Sequence, residues 1–250
     1  MPVHNRYERF QSDQRQFFDE LITEDWETYK SQSWDYTRTF EVRQLFNRVQ
    51  PAYILDVGCG CGFRDQLMAE YPFVERVDAI DYSEQSVLKA EAIYPQPKVR
   101  RFVADFKRYE PDRKYDLIVS FQVFEHLYNP EEYIHFCAQY CAPGKWIAIC
   151  TPNRLRLDNR IKRLHGQPLT MSDPMHFKEY TVAEIVAMGR REGLIYKDHY
   201  GHGLHPFTLF NRTFLTGMDV NKKTRYGYMM NFMASIIMVI VEMPQKDQLP

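Results

Sequence analysis

The sequence lacks several features that would place it in an easily recognised class. Its formal net charge is only −1, so it has no global basic excess of the kind that duplex-binding proteins use against phosphates. Its most apolar run, ASIIMVIVEM, has about ten residues, which is too short for a membrane-spanning helix. The chain contains neither an internal repeat nor a low-complexity linker. These absences favour a globular protein in which that apolar run is a buried strand.

Cysteine is also sparse, and its arrangement excludes the common cysteine motifs. The five cysteines form no CxxC pair, and their odd number suits reduced thiols. In HFCAQYC, Cys137 and Cys141 lie one helical turn apart, which favours two small core residues over a metal or redox pair. The segment MPVHNRYERFQSDQ lacks the apolar core of a signal peptide. We therefore expect a cytoplasmic protein with no metal centre.

The periodicity of apolar residues changes near residue 51. Residues 1–50 are predicted to form a helical cap, because apolar residues recur there at mostly helical spacing: Phe40, Val42, Leu45, Phe46 and Val49. From residue 51 onward, short apolar runs alternate with amphipathic segments, which is typical of a parallel sheet covered by helices. The predicted fold is α/β, a doubly wound sheet over residues 51–250 with the helical cap as its N-terminal extension, and the chain is predicted to be a single domain overall.

The individual elements of this sheet can be read from the same alternation. TVAEIVAMGRREGL predicts a helix that begins at Thr181 and stops at Gly193. LIYKDHY and ASIIMVIVEM predict two late strands. The earlier predicted strands are Tyr53–Val57, Arg76–Ile80, Val99–Val103, Tyr115–Ser120 and Trp146–Cys150.

The segment YILDVGCGCGFRDQL combines an acid with a glycine-rich turn directly after the first strand. Glycines ahead of a helix allow the backbone to approach a ligand closely, beside unpaired N–H groups. Asp81 follows the second strand, where a carboxylate can accept hydrogen bonds from two ribose hydroxyls. Asp105 follows the third strand, where it can accept a hydrogen bond from an adenine amino group. The three strand ends together indicate a site for a nucleoside cofactor.

Five motifs occur in order over about residues 53–153: ILDVGCGCG, VDAIDYS, FVADF, YDLIVSFQVFEHL and APGKWIAICTPN. In this series the chain resembles the class I S-adenosylmethionine (SAM)-dependent methyltransferases. The resemblance implies a seven-stranded Rossmann-like sheet with an antiparallel last strand, and SAM as cofactor. Cys61 stands where the family usually carries threonine or serine, which loses a hydroxyl but keeps a small side chain.

The resemblance also implies roles for particular residues. Asp56 would orient the glycine turn and Asp81 would hold the ribose. The cofactor-binding residues implied in this way are Asp56, Gly58, Cys59, Gly60, Asp81, Tyr82, Ala104, Asp105, Phe106, Phe121 and Gln122. Of these, the residues from 104 to 106 would line the adenine, and those at 121 and 122 would border the methionine end.

The acceptor side is less clearly marked. A hydroxyl acceptor benefits from a base or a metal, whereas an amine or a carbon nucleophile needs less help. Glu125 and His126, in FQVFEHLYNP, match a family pattern after the fourth strand. His176, in DPMHFKEYT, resembles a loop residue of small-molecule and glycan-pathway members. We expect these three residues to be catalytic, although packing or a loop-fixing hydrogen bond are alternatives for the histidines.

Further residues are candidates for substrate contacts. Trp34 and Tyr36 precede the first strand, in a segment that often covers the cofactor in this family. His202 belongs to HYGHGLH, a segment expected at a pocket rim rather than at a metal. Arg154 begins the basic segment NRLRLDNRIKRLHG, in which Leu157, Ile161 and Leu164 share one helical face.

The basic segment has two interpretations. It is either a solvated helix packed by its apolar edge, or a site for an anionic acceptor or a membrane surface. Its cations are Arg154, Arg156, Arg160, Lys162 and Arg163. The expected partners are therefore a small-molecule or a glycan- or lipid-linked substrate, no duplex nucleic acid, and a peripheral membrane contact through residues 154–164.

Taken together, these patterns predict a SAM-dependent methyltransferase, with O-methylation preferred over N- or C-methylation. An NAD-dependent oxidoreductase is disfavoured by Asp56 and by the lack of GxGxxG spacing. A non-catalytic scaffold with the same fold is disfavoured because the cofactor motifs are intact. An RNA or protein methyltransferase is disfavoured because SFQVF replaces the Asn/Asp-Pro-Pro-aromatic signature of amino-group methylators.

Overall fold

The computed structural model describes residues 14–16, 18–19, 22, 35–173, 175–209 and 212–245. The strands are β1 Tyr53–Val57, β2 Arg76–Asp81, β3 Val99–Val103, β4 Tyr115–Phe121, β5 Cys141–Pro152, β6 Ile195–His202, β7 Phe207–Leu209, β8 Arg212–Phe214 and β9 Ile236–Glu242. The α-helices are α1 Asp35–Phe46, α2 Phe63–Ala69, α3 Glu84–Ile93, α4 Pro130–Tyr140, α5 Leu157–Leu164, α6 Val182–Arg191 and α7 Val220–Met229. Short 3₁₀ turns span Phe124–His126 and Asn231–Met233.

Seven of these strands form one sheet in the order β3-β2-β1-β4-β5-β9-β6. β1 pairs in parallel with β2 and β4, and β2 pairs in parallel with β3. The last strand, β9, is antiparallel to both β5 and β6. This topology confirms the predicted Rossmann-like sheet, including the direction of its last strand.

The chain divides into two compact units. Unit 1 comprises Met1–Ser120 and Tyr128–Cys141, and unit 2 comprises Phe121–Leu127 and Ala142–Pro250. Unit 1 contains β1, β2, β3 and nearly all of β4, whereas unit 2 contains β6, β9 and nearly all of β5. The boundary between residues 50 and 51, and the single domain overall, remain predictions.

Helix α1 packs in unit 1 as its apolar spacing predicts. The residues expected to face the core are all buried: Phe40, Val42, Leu45, Phe46 and Val49. The half-buried ring of Tyr36 stacks on that of Phe40, with 6.4 Å between the ring centroids. Trp34 lies outside the described residues.

Local signals place the ends of α6 close to the predicted positions. Thr181 and Glu184 form a capping box, in which the Thr181 amide donates to Glu184 Oε2 at 2.9 Å. Gly193 adopts a φ of 76° beyond the helix, so the chain can turn towards β6. Pairing extends β5 to Cys141–Pro152 and β6 to His202, beyond the apolar runs that predicted them.

The basic segment packs differently from the prediction. Its helix begins only at Leu157, and Leu164 is 85% exposed, so the expected apolar packing edge is wrong at that residue. The buried side is polar instead, and includes Arg156, Asp158 and Asn159. Hydrogen bonds explain this, because the Asn159 amide nitrogen donates to the carbonyls of both Arg154 and Thr170 at 2.9 Å. No α-helix in the described ranges is long and apolar enough to cross a membrane.

Between β6 and β9, unit 2 contains elements that the sequence patterns did not predict. They are the hairpin of β7 and β8, helix α7 and the 3₁₀ turn after it. Gly227 of α7 lies against the backbone of Gly203, where a Cβ atom would come within 2.2 Å of the Gly203 carbonyl oxygen. This close approach requires a residue without a side chain.

We therefore expect Gly227→Ala to lower the free energy of unfolding by about 1 to 3 kcal/mol, because the added methyl group must displace backbone atoms. Chemical denaturation followed by circular dichroism measures this change. Gly217→Ala is the matched control, since no atom of the described residues lies within 4 Å of a Cβ atom built there. Equal denaturation midpoints for the two variants would contradict the packing described for α7.

Candidate functional site

The glycine turn connects β1 to α2 in unit 1, in a backbone conformation that glycine adopts most readily. Gly58 and Gly60 have φ values of 78° and 54°. The amides of Gly58 and Cys59 both donate to the Ile80 carbonyl, at 2.7 and 3.1 Å. The turn is therefore fixed to the carboxyl end of β2.

Asp81, the last residue of β2, holds the same turn through its side chain. Its Oδ2 accepts a hydrogen bond from the Gly60 amide and its Oδ1 accepts one from the Ser83 amide, both at 2.9 Å. Burial raises the pKa of Asp81 to about 6, and these two hydrogen bonds oppose the rise. Because each carboxylate oxygen carries two lone pairs, both oxygens keep capacity for a ligand hydroxyl.

Asp56 lies in β1, before the turn, and its carboxylate has a different environment. Its Oδ1 is buried and accepts no hydrogen bond from any residue that the structure describes. Burial, followed by the nearby charge of Asp65, raises the pKa of Asp56 well above its usual range. Asp65 itself is paired with Arg101 at 2.9 Å. The amides of the glycine turn described above therefore donate to the Ile80 carbonyl and the Asp81 carboxylate. The Oδ1 atom of Asp56 remains an acceptor without a hydrogen bond from the described residues.

The residues after β3 complete this part of unit 1. The Ala104 amide donates to the Asp81 carbonyl at 2.8 Å, so the ends of β2 and β3 lie side by side. Asp105 is half-buried, and its Oδ1 accepts a hydrogen bond from the Lys107 amide at 3.0 Å. The buried ring of Phe106 packs edge-on against that of Tyr133, at 5.5 Å between centroids. Tyr82 is half-buried.

The remaining predicted cofactor residues belong to unit 2. Phe121 is buried, and Gln122 has a φ of 59°, which is uncommon outside glycine. The Gln122 amide donates to the Cys150 carbonyl at 2.8 Å, which holds this conformation. Strained backbone of this kind often occurs at functional sites.

Glu125, His126 and His176 come together in unit 2, and we name them the histidine cluster. One potential ligand atom from each residue lies within 4.8 Å of the other two. The two imidazole rings meet edge to face, with 4.9 Å between their centroids. The three residues predicted as catalytic are therefore neighbours, although 49 positions separate the 3₁₀ turn from the loop before α6.

The groups of this cluster are strongly affected by burial. Burial raises the pKa of Glu125 to about 7, while its Oε2 accepts the Thr151 hydroxyl at 2.8 Å. Burial, with a smaller contribution from His176, lowers the pKa of His126 to about 4. His126 is therefore neutral at pH 7, and its Nδ1 hydrogen-bonds the Met175 carbonyl at 3.2 Å.

A second group of residues, which the sequence patterns did not identify, supports His176. Nδ1 of His176 lies 3.2 Å from Oε1 of Glu179, and that oxygen also accepts the Ser172 hydroxyl at 2.6 Å. Burial would raise the pKa of Glu179, but hydrogen bonds from His176 and Ser172 and the charge of Arg156 lower it to about 2. Glu179 is thus a carboxylate, and its Oε1 accepts a hydrogen bond from the Nδ1–H of His176.

Backbone contacts fix the loop that carries His176. The Phe177 amide donates to the Glu125 carbonyl at 2.9 Å, and Tyr180 bridges to Asn153. Arg156 is 1% exposed and pairs with Glu179, so it is unavailable to an anionic substrate, contrary to the expectation for the basic segment. The spacing in HFKEY, with an acid three residues after a candidate base, is the signal that could have identified Glu179.

The other candidate substrate residues have structural partners. Arg154 pairs with Glu184 at 2.8 Å, and its amide donates to the Tyr180 carbonyl. His202 is fully buried in β6, so the rim position predicted for it is wrong. Over the described part of the chain, His202 forms no metal-ligand group with the two other histidines of HYGHGLH.

Comparison with known proteins identifies the family of this chain. Residues 32–195 match the family described as "Methyltransferase domain". A probable SAM-dependent methyltransferase of Mycolicibacterium smegmatis is 30% identical over 164 residues, 64% of this chain and 60% of that protein. The chain thus spans between half and three fifths of the mycobacterial relatives that it matches, since two others are covered over 50% of their length.

Two further relatives extend the comparison. The ubiquinone biosynthesis O-methyltransferase of Hydrogenovibrio crunogenus is 27% identical over 195 residues, 74% of this chain and 79% of that enzyme. The methyltransferase in the complex with the Haloferax volcanii Trm112 methyltransferase activator has the same fold, with a TM-score of 0.65 at 16% identity, over 92% of this chain and 97% of that chain. The motif series, the sheet topology and the family match lead to one conclusion: this chain belongs to the class I SAM-dependent methyltransferase family.

Proposed function

We propose that this protein transfers a methyl group from SAM to a hydroxyl of a small-molecule or glycan- or lipid-linked acceptor. The observation that carries the choice of a hydroxyl is the histidine cluster, with His176 held by the carboxylate of Glu179. A hydroxyl is a poor nucleophile until it loses its proton, whereas an amine needs little help. The O-methyltransferase name of a relative aligned over 79% of its length supports the same choice.

Two observations support SAM as the ligand of unit 1. Asp81 is buried and keeps lone pairs for the ribose hydroxyls. The buried Oδ1 of Asp56 lacks a hydrogen-bond partner among the described residues, and the ammonium group at the amino-acid end of SAM would supply a donor for it. When bound, SAM supplies a methyl group on a positively charged sulfur. The glycine turn allows its backbone to approach that ligand without a side chain in between.

Unit 2 would prepare the acceptor. Because Nδ1–H of His176 donates a hydrogen bond to Glu179, Nε2 is the ring nitrogen that can offer a lone pair. That nitrogen can draw the proton away from a hydroxyl that binds beside it. Ser172 and Arg156 fix the Glu179 carboxylate, so the ring is held in one orientation.

A direct test incubates the protein and SAM with a panel of phenols, catechols, sugars and amines. Release of S-adenosylhomocysteine measures turnover, and mass spectrometry with NMR locates the new methyl group. The proposal expects a methyl ether. A product methylated only on nitrogen or carbon would contradict it.

Asp81→Ala should weaken SAM binding by about 100-fold, because two charge-assisted hydrogen bonds to the ribose are lost. Isothermal titration calorimetry measures this affinity. Glu110→Ala is the matched control, since Glu110 is an exposed acid of unit 1 outside the site. The cofactor assignment is wrong if both variants bind SAM as tightly as the wild type.

SAM affinity should also depend on the charge of Asp81. Its pKa of about 6 lies above that of an ordinary carboxyl, so the carboxylate takes up a proton as the pH falls through 6. The dissociation constant should rise about tenfold between pH 7 and pH 5, since about a tenth of the groups stay ionised at the lower pH. Asp81→Asn cannot titrate, and a pH dependence equal to that of the wild type in this variant would exclude Asp81 as the cause.

His176→Ala should lower kcat/KM for the hydroxyl acceptor by about 100-fold and leave SAM affinity unchanged, because only proton removal is affected. Steady-state kinetics and calorimetry measure the two quantities. His165→Ala provides the control, since His165 is an exposed histidine at the end of α5. Full activity of His176→Ala would contradict the role given to the cluster.

A further inference from the structure

The donor atoms of the histidine cluster form a set that proteins use for transition metals. Two imidazoles and one carboxylate bring one ligand atom each within 4.8 Å of one another. Two histidines and a carboxylate hold zinc in several hydrolases and iron in many oxygenases. Glu125 and His126 come from one 3₁₀ turn, and His176 comes from a loop that is hydrogen-bonded to that turn.

The carboxylate of Glu125 gives an independent indication of a cation site. The residue is 0% exposed, and its Oε2 accepts the Thr151 hydroxyl. Its Oε1 is also buried, but it accepts no hydrogen bond from the residues that the structure describes. A buried carboxylate oxygen without a partner is costly, and a bound cation removes that cost.

The surroundings of the two imidazoles have the form found around metal ligands. Histidines that bind metals usually donate their other ring N–H to a carbonyl or a carboxylate, which fixes the ring orientation. Here Nδ1 of His126 lies 3.2 Å from the Met175 carbonyl oxygen. Nδ1 of His176 lies at the same distance from Glu179 Oε1, and Ser172 in turn holds that carboxylate.

We propose that Glu125, His126 and His176 bind one divalent transition-metal ion. Because two of the three donors are imidazole nitrogens, Zn²⁺ or Fe²⁺ suits the site better than Mg²⁺. Three protein ligands leave a coordination position open, as in catalytic metal sites. This assignment stands on the cluster alone and differs from the expectation from the sequence, which was a protein with no metal centre.

The consequence for catalysis rests on the proposed O-methyl transfer. A cation at the cluster lowers the pKa of an acceptor hydroxyl that binds to the open position. With its Nε2 on the cation, His176 acts as a ligand and no longer as the base, so the O–H bond breaks and its proton leaves to solvent water. An oxygen electron pair then forms the O–CH₃ bond, while the electrons of the C–S bond remain on sulfur. No oxidant or reductant is needed.

The test uses the full chain after treatment with a chelator and dialysis. Titration with Zn²⁺ in a calorimeter, and with Co²⁺ followed by its visible absorption, should show one equivalent bound. Glu125→Gln and His126→Ala should abolish this binding. Glu179→Gln should weaken it by about 10- to 100-fold, because it loosens the His176 ring without removing a ligand. His165→Ala is the control and should bind the metal like the wild type.

Folding of each variant is checked by its SAM affinity, which depends on unit 1. The metal site is wrong if the wild type binds neither ion, or if Glu125→Gln binds Zn²⁺ as the wild type does. The catalytic role given to the metal is wrong if chelator-treated protein forms methyl ether at the untreated rate, and the proposed function then stands. One equivalent of metal bound to a protein that forms no methyl ether supports the site and overturns the proposed function.

Discussion

The hydrogen bond from the Gly60 amide to the Asp81 carboxylate is the contact on which the proposed cofactor site depends. It connects the turn after β1 to the end of β2, and the Ile80 carbonyl reinforces the connection from the backbone. The turn can follow this path because Gly58 and Gly60 adopt positive φ values. As a result, a buried carboxylate, an unsatisfied Asp56 oxygen and a turn without bulky side chains occur together in unit 1.

The second unit uses the same principle with a different carboxylate. Glu179 has a low pKa despite its burial, since Ser172 and His176 donate hydrogen bonds to it and Arg156 places a positive charge beside it. A carboxylate satisfied in this way can hold an imidazole in a single orientation. Glu125 shows the opposite case, because its buried Oε1 lacks such partners and its pKa rises. Within the histidine cluster, His176 is therefore held in place by Glu179, whereas Glu125 keeps an oxygen that can accept a ligand.

Much of this arrangement could be predicted from the sequence because its signals are local. Asp81 is the last residue of β2 and Asp105 comes two residues after β3, and the carboxyl ends of parallel strands lie at one edge of a sheet, so their placement follows from the strand pattern. Likewise, Thr181 and Gly193 mark the ends of α6 within a few residues. Glu125, His126 and His176 were identified by their motifs, although the sequence did not reveal how closely they lie.

The parts that could not be predicted depend on distant partners. The spacing of apolar residues predicts a helix near residues 154–164, but it does not show which face of that helix packs against the protein. Arg156 is buried because it pairs with Glu179, which belongs to another segment of the chain. The hairpin of β7 and β8 consists of strands of three residues, which are too short to show a pattern. The rim position predicted for His202 is wrong because pairing with β9 extends β6 through His202, beyond the apolar run.

The most direct measurement of the central claim is a crystal structure of the full chain with S-adenosylhomocysteine. The account predicts both ribose hydroxyls within hydrogen-bond distance of the Asp81 carboxylate, with the amino-acid end of the ligand against the turn at Gly58 and Gly60. Density for the ligand at another place, with Asp81 contacting only Gly60 and Ser83, would contradict it.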